Sequence, residues 1–172
     1  MKNIALFLVL FVFGFNTLLS ANNIVYMDMN KVMTTSKPGL NLMLQFDELE
    51  KKNIKDYNET IKKLKDIDQK ILAQKNIISK TEFQKKIEEL KKEIFDHNEQ
   101  YKLKIDKLNK KKIKYTNELL QLINPILIKF SDEKKISMIF KKKDLIIGKS
   151  NLDITDEIIK LINEQIKEIE VK

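Results

Sequence analysis

The chain has 172 residues, with 33 basic side chains against 25 acidic ones, a formal net charge of +8 and no cysteine. Without cysteine there can be no disulfide staple and no lipid-modified N-terminal cysteine. Every basic residue is lysine, which produces a diffuse positive field that attracts acidic partners at long range, not the guanidinium forks that read guanine edges or clamp phosphate.

The N-terminal stretch predicts an export signal over residues 1–21. Lys2 supplies a positive start, Ile4 to Phe15 is apolar apart from Gly14, and Leu18-Leu19-Ser20-Ala21 brings small residues to a cleavage point near Ala21. An apolar run of about a dozen residues is short for a bilayer, which needs about 20, so cleavage is favoured over an uncleaved anchor. The mature chain is expected to be exported and soluble, remote from any cytoplasmic nucleotide pool.

After the signal, Ile24-Val25-Tyr26-Met27-Asp28-Met29 is short and β-prone and predicts a strand. Asn30 can cap a brief helical turn carrying Val32 and Met33, and Ser36-Lys37-Pro38-Gly39 predicts a break. From about Leu40 a helical period sets in: Leu42, Phe46, Leu49, Ile54, Tyr57, Ile61, Leu64, Ile67 or Asp68, and Ile71, ending near residues 75–78. Ser79 with Glu82 forms a capping box, which marks the tip of a helical hairpin at about residues 76–80 and opens the second arm at Phe83.

That second arm carries a seam at Ile87, Ile94, Tyr101, Leu108, Tyr115 and Leu122, one large apolar residue in every seven. Such a period belongs to a helix held along one face by a helical partner. A capping box in mid-run favours an antiparallel hairpin over a parallel coiled coil between chains. The seam has defects. Asp68 and Lys75 interrupt the first arm, and the companion positions on the second read Phe83, Leu90, His97, Lys104, Lys111, apolar and then polar. A flexible arm is expected from this, against the plainer reading that these polar residues simply face water. Pro125 should kink or restart the helix before Ile126, Leu127, Ile128 and Phe130, and Ser131-Asp132-Glu133 should close it.

Ile136–Phe140 and Asp144–Gly148 predict two further strands joined by a turn at lysines 141–143. Thr155 predicts the cap of a last helix, with Ile158, Leu161, Ile162, Ile166 and Ile169 on its apolar face, running to the chain's last residues. The resulting fold class is α+β: a long antiparallel helical hairpin (41–130) projecting from a small β-rich body (22–40 with 131–172). Three short strands and a helix are marginal alone, so the body is expected to oligomerise.

This order of elements resembles the Skp (OmpH) family of periplasmic chaperones. The resemblance rests on Ile24–Met29 after a signal, Ser36–Gly39 before the arm, the lysine-rich hairpin and, most specifically, Ile136–Phe140, Asp144–Ile147 and Leu152-Asp153-Ile154-Thr155-Asp156. It implies a homotrimer with a central β-body and three arms around a cavity, which holds unfolded outer-membrane proteins without ATP. The long final helix and Pro125 depart from the family pattern.

The implied partners are unfolded outer-membrane proteins, further copies of the chain and an anionic lipid surface, with no nucleic acid and no cofactor. Apolar candidates for client contact are Met43, Ile77, Ile78 and Phe83. The basic candidates are Lys62, Lys63, Lys65, Lys85, Lys86, Lys102, Lys104, Lys110, Lys111 and Lys112. From Leu42 to Phe130 there are 21 lysines against 15 acids, a net +6. Candidates for the body and its oligomer contacts are Ile24, Tyr26, Ile136, Met138, Phe140, Ile146 and Ile154.

No catalytic or metal constellation is identifiable, so no enzyme is expected. Gly148-Lys149-Ser150 echoes a phosphate loop but has Lys143 where that loop needs glycine, and His97 is the only histidine. The rival classes are a coiled-coil spacer of the cell envelope and a basic nucleic-acid-binding protein. The export signal, the missing arginines and the absence of a docking motif oppose the second.

Overall fold

The computed structural model describes residues 23–172, and the expected export signal falls outside the described residues. Strand β1 (Asn23–Met27) leads into helix α1 (Met29–Thr35). That helix starts ahead of the predicted Asn30 cap because Asp28 Oδ1 accepts a hydrogen bond from Lys31 N at 3.0 Å. The predicted break at Ser36–Gly39 is instead the start of helix α2 (Lys37–Ala73). Ser36 Oγ accepts from Gly39 N, and Pro38 sits in the first turn, where a missing N–H costs no helical bond. Gly39 is required by close approach: a Cβ there would lie 2.0 Å from the carbonyl oxygen of Met33 in α1.

A tight turn over residues 74–79 reverses the chain into helix α3 (Lys80–Lys134). The expected tip signal is in place, with Ser79 Oγ accepting from Glu82 N at 3.2 Å. The Glu82 carboxylate turns to Lys86, 3.5 Å away. At 1.5 Å per residue the two helices are about 55 and about 82 Å long. Pro125 neither stops nor restarts α3. Pro125 and Gln121, whose carbonyl loses its helical partner, are both exposed, so water can satisfy that oxygen while Ile126 and Phe130 stay buried on the opposite side. The helix ends beyond the predicted Glu133, at Lys135 in the left-handed conformation (φ 55°).

Strand β2 (Ile136–Lys141) then pairs with β1 in parallel, with Ile24 opposite Met138 and Tyr26 opposite Phe140. Parallel neighbours need a crossover, and here the whole helical hairpin is that crossover. The sheet has two strands, fewer than predicted. Lysines 142 and 143 enter a 3₁₀ turn (Lys142–Asp144), and Asp144–Gly148 forms no strand. The 3₁₀ turn carries the chain off the outer edge of β2, which stays unpaired among the described residues, and brings Gly148 against the Tyr26 ring. The edge of β1 not used by β2 is met by Asp153, which bridges Tyr26 after a second 3₁₀ turn (Ser150–Leu152).

Helix α4 (Thr155–Gln165) closes the body. Thr155 is not its cap; it is the first helical residue, and its N–H donates to Asp153 Oδ1 at 3.0 Å. The Thr155 hydroxyl also donates to Asp153, and its oxygen accepts from Asp28 N at 2.9 Å, tying α4 to the end of β1. The predicted long final helix is corrected as well. It stops at Gln165, and Ile166 turns to extended backbone (φ −102°, ψ 123°). Leu119 and Ile123 of α3, Ile158 and Ile162 of α4 and Val32 of α1 form the fully buried centre.

Two predictions follow from these junctions. Gly39→Ala should destabilise the fold by about 2–3 kcal/mol, because backbone of α1 must move; urea unfolding followed by circular dichroism reads this. The second concerns Asp153. Burial pushes its carboxyl up, but hydrogen bonds from Thr155 and Lys142 outweigh this and leave it below the ordinary carboxylate value. Its contribution is therefore complete above the unfolded value of about 3.9 and is lost as pH falls through the lower folded value. Asp153→Ala should cost about 1 kcal/mol at neutral pH, and the gap to the unaltered chain should narrow below about pH 4.

Candidate functional site

The interior of the hairpin is built in two apolar blocks. At the base, Leu42 and Phe46 of α2 join Leu108, Tyr115, Leu119 and Ile123 of α3, and the Phe46 and Tyr115 rings meet edge-on at 6.1 Å. At the tip, Leu64, Ile71 and Leu90 are buried, with Ile61, Phe83, Ile87 and Ile94 packed around them.

Between the blocks the seam turns aromatic and polar. The His97 ring stacks on Tyr57 at 4.9 Å, and Tyr101 lies against the same tyrosine at 4.3 Å. His97 Nε2 is 3.2 Å from the Tyr57 carbonyl oxygen, to which it donates, and the Tyr57 hydroxyl donates to Asn98 Oδ1 at 3.0 Å. The lone histidine is thus a satisfied seam residue. Asp68 is half-buried and Lys75 exposed. Leu122, the last position of the seven-residue series, is 47% exposed. A straight helix drifts about 20° per heptad, and the buried line passes to Leu119, Ile123, Ile126 and Phe130.

The basic candidates fall into two groups. Lys85, Lys86, Lys102 and Lys112 pair with Glu89, Glu82, Glu99 and Glu50; the Lys112–Glu50 contact, at 2.7 Å, joins the two helices. Lys62, Lys63, Lys65, Lys104, Lys110 and Lys111 are exposed and make no ion pair among the described residues. Of the apolar candidates, Ile77 is 79% exposed at the tip and Met43 is 48% exposed on the rim of a groove at the base. Ile78 is half-buried, and Phe83 is turned into the tip block.

Sequence reasoning overlooked three exposed apolar side chains on α3: Phe95, Leu103 and Ile113. Their signal was present, since each is apolar and off the seven-residue register. Phe95 follows Lys91 and Lys92, Leu103 is flanked by Lys102 and Lys104, and Ile113 by Lys112 and Lys114. On the helix surface Lys91 and Lys92 lie one turn before Phe95, Lys107 one turn after Leu103 and Lys110 one turn before Ile113, so positive charge adjoins bare apolar surface on the exposed side of α3.

In the body, Ile24, Met138 and Phe140 are 42%, 53% and 43% exposed, and Ile146 is fully exposed in its loop. Ile136 is half-buried. Tyr26 and Ile154 are interior; the Tyr26 hydroxyl donates to the Lys149 carbonyl at 3.2 Å. Among the described residues no group of three or more metal-ligating side chains occurs, and no helix is long and apolar enough to cross a membrane.

The sequence profile described as "Outer membrane protein (OmpH-like)" matches residues 23–162. The chain belongs to the OmpH-like family. In fold it is similar to the crystal structure of an OmpH-like protein of Caulobacter crescentus CB15, described as a candidate outer membrane chaperone. The TM-score is 0.80 at 13% identity, over 86% of this chain and 88% of that one. No curated protein sequence matches it. The expected family and α+β architecture are both in place.

The OmpH-like arm is held by aliphatic blocks at its ends and by stacked aromatic rings in the middle. Tyr57→Ala should remove stacking on His97 and Tyr101 worth about 0.5–1.5 kcal/mol each. Amide exchange in mid-arm should then quicken by about tenfold while α4 amides are unaffected, read by hydrogen-exchange mass spectrometry.

Proposed function

We propose that this chain is an ATP-independent holdase of the periplasm, which binds unfolded outer-membrane proteins between basic helical arms and prevents their aggregation. Membership of the OmpH-like family supports a chaperone role in general. The observation that carries the finer reading is the exposed side of α3, where lysines without an ion pair among the described residues border apolar side chains one turn away: Lys91 and Lys92 beside Phe95, Lys107 beside Leu103 and Lys110 beside Ile113.

Lysines raise the encounter rate by long-range attraction. The apolar side chains then supply many weak, exchangeable contacts, as a promiscuous binder requires. Release needs no nucleotide where the client's fold in the membrane is more stable than the complex. The exposed Ile24, Met138 and Phe140 on the sheet, with Ile146 and Ile147 beside it, favour assembly of several copies through the body, in a homotrimer that encloses a cavity. An anionic lipid surface is a second partner for the same lysines. An envelope spacer is the alternative, but a spacer calls for a uniform seam, and this one changes from aliphatic to aromatic and polar packing at Tyr57 and His97.

The mature protein should suppress light scattering from a urea-unfolded outer-membrane β-barrel protein on dilution, without nucleotide; unchanged aggregation counts against the reading. Replacing Lys104, Lys110 and Lys111 with Gln should slow capture by about tenfold at low ionic strength and flatten its salt dependence, measured by stopped-flow fluorescence.

A further inference from the structure

The last seven described residues, 166–172, leave α4 although nothing in their sequence breaks a helix. They contain neither glycine nor proline, and Ile162, Ile166 and Ile169 continue the helical spacing. Their backbone instead runs without helical structure across the base of the hairpin, with Ile166, Ile169 and Val171 packed on the main core. A surface that draws a helix-compatible segment out of its helix has its own affinity for non-helical chain.

The contacts show what that surface recognises. The Gln45 side chain of α2 donates from Nε2 to the Ile169 carbonyl at 2.7 Å and accepts at Oε1 from Val171 N at 2.9 Å. A carbonyl and the N–H two residues on face the same side of an extended chain, and a neighbouring parallel strand bonds that pair. One primary amide therefore does the work of the N–H and C=O of one residue in a neighbouring strand. Asn41 accepts a second hydrogen bond from Gln45 Nε2 and fixes its orientation. On the α3 side the Tyr115 hydroxyl accepts from Lys172 N at 2.8 Å. Lys167, Glu168, Glu170 and Lys172 are exposed, so charge takes no part in the reading. What is read is extended backbone with apolar side chains at alternate positions, 169 and 171. Beside the segment a cleft of about 530 Å³, edged by Leu122, Pro125 and Ile126, is left unfilled.

We propose that the groove between Gln45 and Tyr115 is a binding site for extended polypeptide of alternating apolar pattern, occupied in the free chain by its own residues 166–172, which a client strand displaces. The inference rests on the holdase reading for its choice of occupant. A transmembrane β-strand carries this alternation, and recognition through backbone is indifferent to the rest of its sequence.

The test uses a fluorescein-labelled ten-residue peptide with the sequence of residues 163–172, followed by fluorescence anisotropy. In a chain carrying Ile169→Asp and Val171→Asp, which frees the segment, the peptide should bind at least about tenfold more tightly than to the unaltered chain. Adding Gln45→Glu, which keeps the shape but cannot donate to the carbonyl, should abolish that gain. An unlabelled peptide taken from an outer-membrane barrel strand should compete. Equal binding to both chains, indifference to Gln45→Glu, or no competition by the strand peptide would each overturn the proposal.

A second readout needs no variant. In the unaltered protein, saturating strand peptide should speed exchange of the Val171 and Lys172 amides by about tenfold, and unchanged protection overturns the proposal. Aggregation suppression measured in parallel separates the two readings. Suppression that survives the loss of peptide binding removes this site alone, whereas competition without suppression removes the holdase reading and leaves the groove.

Discussion

The parallel pairing of β1 with β2 is the constraint from which the rest of the architecture follows. Strands that share a direction cannot be joined by a tight turn, and more than a hundred residues separate Tyr26 from its partner Phe140. That intervening chain must leave at one end of the strand pair and re-enter at the other, and the return helix, 55 residues against 37, outruns the outgoing one. Two long helices meeting at a six-residue turn satisfy the requirement with almost all backbone hydrogen bonds internal to the helices. The hairpin is thus an enlarged crossover connection, and its length is free to be set by function.

The packing of the hairpin is graded to match. Where it enters the body, α3 is covered on a broad face by α2, α4 and the C-terminal segment, and Leu119 and Ile123 are sealed. Farther out only α2 remains as a neighbour, so burial narrows to a stripe. At mid-arm that stripe holds stacked aromatic rings and hydrogen bonds in place of aliphatic side chains. An arm with one neighbour leaves most of its circumference to solvent. The sequence fills that circumference with lysine and scattered apolar residues, with few close ion pairs between the two helices; Lys112–Glu50 is one.

The hairpin was legible in the sequence because its signals are local and redundant: a seven-residue period from Ile87 to Tyr115, and Ser79 followed by Glu82 at the reversal. The strand count was less legible. Leu145-Ile146-Ile147 is apolar enough for a strand, but composition does not show that the chain leaves β2 through a 3₁₀ turn and packs Gly148 on the Tyr26 ring. The end of α4 was hidden for a related reason. Helical spacing continues through Ile166 and Ile169, while the partner that overrides it, Gln45, reads in sequence as one more polar residue on a helix face. Of the candidate surface, charge was visible from lysine counts alone. The exposed Phe95, Leu103 and Ile113 were passed over because attention to a seam ranks apolar residues by their place in the register, and these three fall outside it.

The proposed function places other polypeptides on the exposed side of α3. A photo-crosslinking amino acid placed in turn at Phe95, Leu103, Ile113 and the buried Leu108 measures this directly, with an unfolded outer-membrane β-barrel protein as partner. The proposed function predicts adducts from the three exposed positions and none from Leu108. Adducts confined to the body, with all three arm positions silent, would contradict it.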